Sequence, residues 1–122
     1  NKMTAKEIVQ NFYKSDVLLD TKLMESFLHP EVILDWNSSK GFLQMDRTEI
    51  LALSAELSVA YVRSKIKISH ILQDENQVSV RYSHYVKTFE NPREEMLLAH
   101  FMVIWEIKED KLFRGFQMSQ LS

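Results

Sequence analysis

The sequence predicts an α+β fold in which three amphipathic helices pack on one face of a curved antiparallel sheet of long strands. Three observations predict it. Three segments in the first 61 residues carry helix start signals followed by apolar residues at helical spacing. From residue 65 onward, apolar residues recur at every second position. The breaks between these last alternating runs are short and rich in Asp, Asn and Glu, as hairpin turns are.

Taken in order, Thr4-Ala-Lys-Glu7 forms a capping box, and Ile8, Val9, Phe12 and Tyr13 behind it share one helix face, giving a helix from about Ala5 to Ser15. Asp20 caps a second, short helix carrying Leu23, Met24, Phe27 and Leu28. Pro30 then stops it, because the residue before a proline is pushed out of the α region. His29 falls at that helix end, where its charge suits the dipole. Glu31 to Trp36 alternates as a strand, Asn37 to Gly41 turns the chain, and Phe42 to Met45 returns as a short partner. Asp46-Arg-Thr-Glu49 is a second capping box, with Ile50, Leu53, Leu57 and Tyr61 as the buried stripe of a third helix.

Three strands follow. In the first, Ile66, Ile68, His70 and Leu72 alternate with Lys65, Lys67 and Ser69; in the second, Val78, Val80, Tyr82, His84 and Val86 alternate with polar residues. Met96 to Ile107 is apolar on both faces, as a covered central strand is, and Leu112 to Gln120 closes the sheet. A last hairpin with a three-residue loop, Glu109 to Lys111, sets Ile107 across from Phe113, Trp105 from Gly115, Val103 from Gln117 and Phe101 from Ser119. It also sets Glu106 across from Arg114 as an ion pair and Ile104 across from Phe116. The helix-covered face then carries Phe101, Val103, Trp105, Phe113, Gly115 and Gln117, with Tyr82 and His84 beside them. Met102, Ile104, Phe116 and Met118 form an apolar stripe on the other face, which no remaining element can cover. Such a stripe points to a partner surface, most simply that of a homodimer.

Composition bounds the function. The 122 residues make one domain, 1–122, of ordinary apolar content, 45%. A net charge of −2 gives no electrostatic basis for nucleic-acid binding. There is no cysteine, so thiolate chemistry, disulfides and thiolate metal sites are excluded. No His pair or His–carboxylate spacing suggests a metal, and no cofactor is expected. The longest apolar run, Met96 to Trp105, is interrupted by His100 and is half the roughly 20 residues a membrane helix needs. No signal-peptide pattern opens the sequence, so a cytoplasmic protein without membrane contact is expected.

Several stretches together resemble the nuclear transport factor 2-like superfamily, in particular its SnoaL-like (polyketide cyclase and ketosteroid isomerase-like) branch. They are Ile8-Val-Gln-Asn-Phe12-Tyr13, Phe27-Leu-His-Pro-Glu-Val32 leading to Asp35-Trp36, Gln77-Val-Ser-Val-Arg-Tyr82, and Ile104-Trp-Glu-Ile107 with Lys111-Leu-Phe-Arg-Gly115. The resemblance spans nearly the whole chain and implies a cone of helices and bent sheet around a central pocket, commonly dimeric through the outer sheet face. Residue by residue, the family's chemistry does not carry over. Trp36 stands where ketosteroid isomerase-like members place a carboxylate base, Val103 where they place an acid, and Gln117 where SnoaL-like cyclases place an Asp. The inward positions also lack the Arg and Asp pair of epoxide hydrolase members.

His84 is the leading catalytic candidate, because a partly buried imidazole two residues from Tyr82 can exchange protons near neutral pH; the alternative is a core histidine with both nitrogens satisfied. Tyr13, Trp36, Tyr82, Phe101, Trp105 and Gln117 are the candidate ligand-binding residues. Tyr82 and Gln117 carry the strongest hint, since a buried polar group needs a partner. His70 shares their parity but lies too far from His84 to share a metal, and His100 faces outward. Two functions stay open: a homodimer binding a small apolar molecule in its cone, with proton transfer by His84, or a non-catalytic association module whose cone is only core.

Overall fold

A computed structural model describes residues 2–122. Both capping boxes form. Thr4 and Glu7 exchange bonds of 2.9 and 3.1 Å at the start of α1 (Ala5–Lys14), and Asp46 and Glu49 exchange bonds of 3.0 and 2.9 Å at the start of α3 (Arg47–Ala60). Asp20 accepts from the Leu23 amide to start α2 (Thr21–Phe27), after a short 3₁₀ turn at Val17–Leu19. The buried residues of α1 are Ile8, Val9, Phe12 and Tyr13, the set its spacing predicts.

Six strands form one sheet: β1 (Leu28–Ser38), β2 (Gly41–Asp46), β3 (Tyr61–Asp74), β4 (Gln77–Thr88), β5 (Met96–Lys108) and β6 (Lys111–Leu121), in the order β2-β1-β6-β5-β4-β3. The sheet is not wholly antiparallel as expected. β1 and β6 pair in parallel, because α3 and the β3–β5 meander return the chain to the side of β1 in the same direction.

The α2–β1 boundary also differs. The helix ends at Phe27, and Leu28, His29 and Pro30 are already strand. Pro30 lies in a register irregularity between Leu28 and Ile33, where the amide it lacks is not missed. His29 therefore does not cap a helix. Its Nδ1 accepts from the Glu31 amide at 3.0 Å, its Nε2 lies 3.1 Å from Glu109, and its ring meets Phe113 edge-on.

Two bulges correct the strand parity. In β3 the register shifts between Ile68 and His70, so Ile71 faces Val80, His70 faces Arg81, and His70 and Leu72 are exposed instead of inward. In the last hairpin the pairs from Phe101↔Ser119 to Glu106↔Arg114 match the expected register. The loop, however, has two residues, Glu109 and Asp110, both at positive φ as a type I′ turn requires. Ile107 consequently pairs with Leu112, which is fully buried, and Phe113 bulges out against Lys108 and Arg114. The expected Glu106–Arg114 ion pair does not form, because Arg114 donates to the Glu31 carbonyl at 2.6 Å and Glu106 accepts from Gln77.

The main core lies between the helices and the inner sheet face. Gly115 makes one close approach possible: a Cβ there would come within 2.7 Å of both Leu34 and the Trp105 ring, so only glycine lets the indole lie across β6. The outer face stays bare, with Met102, Ile104, Phe116 and Met118 exposed by 50, 44, 44 and 65%.

Candidate functional site

The helices do not fill the cone. A cavity of about 440 Å³ remains between α1, α3 and the inner sheet face, opening at the β1–β2 hairpin. Only Ile50 and Ser54 are buried on α3. Leu53 and Leu57, expected in the buried stripe, line the cavity half-exposed, and Tyr61 begins β3. Ser54 donates to the Val17 carbonyl at 2.9 Å, so its hydroxyl is already used.

Each of the seven site residues expected from the sequence borders this cavity: Tyr13, Trp36, Tyr82, His84, Phe101, Trp105 and Gln117. Their packing is specific. Trp105 Nε1 donates to the Tyr13 hydroxyl at 2.8 Å, the Tyr13 and Tyr82 rings lie 4.7 Å apart, and Tyr82 stacks on Phe101 at 4.9 Å and 11°. Trp36 lies 6.2 Å from Phe101 and donates to Ser119 Oγ at 2.8 Å. The walls are mostly aromatic and aliphatic side chains.

Among the described residues, no Asp or Glu lines the cavity. Asp35, next to Trp36, points to the outer face, where it pairs across from Phe116 and accepts from Gln44 at 2.9 Å. Burial pushes the hydroxyls of both Tyr13 and Tyr82 well above the usual phenol range, and in Tyr82 the neighbouring Tyr13 adds to the effect. Burial pushes the His84 imidazole down to about 4, below the near-neutral range expected from the sequence, so at neutral pH the ring is uncharged and is a weaker base than a free imidazole. None of the described residues forms a cluster of metal-ligating side chains.

One partner was missed by sequence reasoning. Ser64 Oγ lies 2.5 Å from His84 Nε2, a diagonal contact across β3 and β4, where Ser64 itself pairs with Val86. Its inward parity, two residues before Ile66, was the available signal. With Nε2 held by Ser64, Nδ1 is the ring nitrogen left for a guest. It has no hydrogen-bond partner among the described residues, and neither it nor the Gln117 amide is sealed in as an unpaired buried group. His84 and Gln117 thus both present free polar atoms to the cavity.

The buried imidazole makes stability depend on pH. An unfolded imidazole takes up its proton near 6.5 and the folded one near 4, so between these values the unfolded chain binds more protons and stability falls as pH falls. Urea denaturation between pH 7 and pH 4 should show a loss on the order of 3 kcal/mol that depends on His84. The His84→Gln variant should lack that part of the slope; an identical slope in the variant would show that the imidazole is not held neutral.

The sequence matches no protein-family model and no curated protein. Solved structures do match the fold. IdmH of Streptomyces antibioticus, a candidate polyketide cyclase, superposes with a TM-score of 0.76 over 96% of this chain and 92% of its own, at 10% identity. A candidate SnoaL-like polyketide cyclase from Jannaschia gives 0.71 over 94% and 84%, at 8% identity. An NTF2-like protein of unknown function from Burkholderia pseudomallei gives 0.67 over 94% and 90%, at 13% identity. The resemblance seen in the sequence is therefore one of architecture, and this chain has the nuclear transport factor 2-like fold.

Proposed function

We propose that the protein binds a small, largely apolar molecule in its cone and that His84 Nδ1 transfers a proton to or from it, with Tyr82 or Gln117 polarising the bound molecule. The observation that carries this reading is a cavity of about 440 Å³ whose apolar wall is interrupted by polar atoms without protein partners, on His84 and Gln117. That volume falls in the range of roughly 300–1,000 Å³ typical of small-molecule sites. Two structural neighbours are named as candidate polyketide cyclases, which favours a small-molecule reading of the cavity over a purely structural one. The chemistry differs from carboxylate-based catalysis, since no carboxylate lines the cavity. The cysteine-free chain suits a cytoplasmic setting, and no helix among the described residues is long and apolar enough to cross a membrane.

The exposed stripe of Met102, Ile104, Phe116 and Met118 favours assembly as well, and we assign it to a homodimer. As a second reading, that association is the whole function and the cavity is incidental.

A thermal-shift screen against small hydrophobic metabolites separates the two readings. Binding predicts a subset of compounds that raise Tm in proportion to the logarithm of concentration. With any compound that is turned over, His84→Ala should lower kcat about 10²–10⁴-fold, as loss of a general base does. Unchanged turnover in His84→Ala would remove the proposed base, and a screen without any binder would leave the association reading. For the dimer, sedimentation should give twice the chain mass for the wild type and the single-chain mass for Phe116→Glu, with unchanged circular dichroism. A monomeric wild type at tens of micromolar would contradict the assignment.

A further inference from the structure

If the cone binds a small molecule as proposed above, its change of polarity with depth bears on the charge of that ligand. The deep polar groups are all uncharged at neutral pH: the Tyr13 and Tyr82 hydroxyls stay protonated, the His84 ring stays unprotonated, and Gln117 carries no charge. An ionised group placed among them would lose its hydration without gaining a counter-charge. The mouth differs. Lys40, at the tip of the β1–β2 hairpin, is the one charged side chain among the lining residues, and no carboxylate of the described residues pairs with it. Around it the rim combines the hydroxyls of Ser38 and Ser39 with Phe42, Leu43 and Leu121, exposed by 57, 57 and 53%.

From this juxtaposition we infer that the ligand is an amphipathic monoanion: an uncharged hydroxyl or carbonyl end lies against Tyr82, His84 and Gln117, an apolar body fills the aromatic cone, and the anionic group remains at the mouth beside Lys40. An exposed cation cannot supply the main binding energy, which comes from the apolar body. Its effect is to choose the sign of the ligand and its direction of entry. A carboxylate that stays at the mouth keeps most of its water, so the choice costs little desolvation.

Trp36 and Trp105 are the only tryptophans and both line the cavity, so intrinsic fluorescence reports occupancy directly. Suitable probes are 10-hydroxydecanoate, decane-1,10-diol, 10-amino-1-decanol and decanoate. At low salt, 10-hydroxydecanoate should bind roughly three- to fivefold more tightly than the diol, and the amine more weakly than the diol. The difference should shrink in 0.5 M salt, vanish in Lys40→Ala and reverse in Lys40→Glu, with the affinity for the diol unchanged. Decanoate should bind less tightly than the hydroxy acid, and Gln117→Leu should narrow that gap. Binding between pH 6 and 8 should take up no proton in calorimetry across buffers of different ionisation enthalpy. Equal binding of acid and diol, or an acid preference that survives Lys40→Glu, overturns the charge assignment while leaving the cavity reading intact. Proton uptake on binding the acid places the carboxylate against His84 and overturns the orientation. Failure of all four probes to alter tryptophan emission contradicts this inference and the cavity reading together.

Discussion

The cone is organised around the buried hydrogen bond from Trp105 Nε1 to the Tyr13 hydroxyl. It ties α1 to the centre of the sheet and satisfies the indole N–H in a setting that water does not reach, where loss of a partner costs about 1–3 kcal/mol. The indole can take this position only because residue 115 is glycine; any Cβ there would collide with the ring. From the Tyr13 end, the contact continues through Tyr82 to Phe101, and His84 and Trp36 lie at 6.3 and 6.2 Å from that last ring. The aromatics therefore build a wall, and because they pack on one another they leave space in front of them.

That space explains an otherwise odd helix. α3 has apolar residues at helical spacing, yet only Ile50 and Ser54 are buried, and Leu53 and Leu57 face the opening. A helix with this pattern ordinarily buries a full stripe. Here part of that burial is withheld, at about 25 cal/mol per Å² of apolar surface left wet, and a guest molecule would recover it. Withheld burial and unpartnered polar atoms in the same place are two independent departures from a finished core.

Much of the fold could be read from local chemistry. Capping residues fixed the helix starts, the period of two fixed the strands, and the pairing of Trp105 with Gly115 fixed the register of the last hairpin. The misses share one cause. An extra residue inserted in a strand reverses every side chain beyond it, and no residue type announced the shifts at Ile68/His70 or at Phe113. A longer loop was expected because it sets Trp105 across from Gly115 and Glu106 across from Arg114; the bulge at Phe113 keeps those pairs with a two-residue type I′ turn at Glu109 and Asp110. The parallel β1–β6 pair is a long-range contact set by tertiary packing, with no local signature. At the site, parity alone placed His84, Tyr82 and Gln117 on the inner face. The Ser64 contact needed a diagonal neighbour, and the place of Lys40 among the lining residues depends on the β1–β2 hairpin tip standing at the mouth of the cone.

The most direct test of an open, ligand-sized cone is to fill it. Ala99 is buried, lines the cavity and sits across from His84 on β5. In a close-packed core, Ala99→Leu would cost about 1–3 kcal/mol by overpacking. In an open cavity the added methylenes should be accommodated, so urea denaturation is expected to show stability equal to or above that of the wild type, with probe binding lost. Destabilisation of about 1–3 kcal/mol, with no probe altering the tryptophan emission of either protein, would mean that the space is not there and that the aromatic cone is only a core.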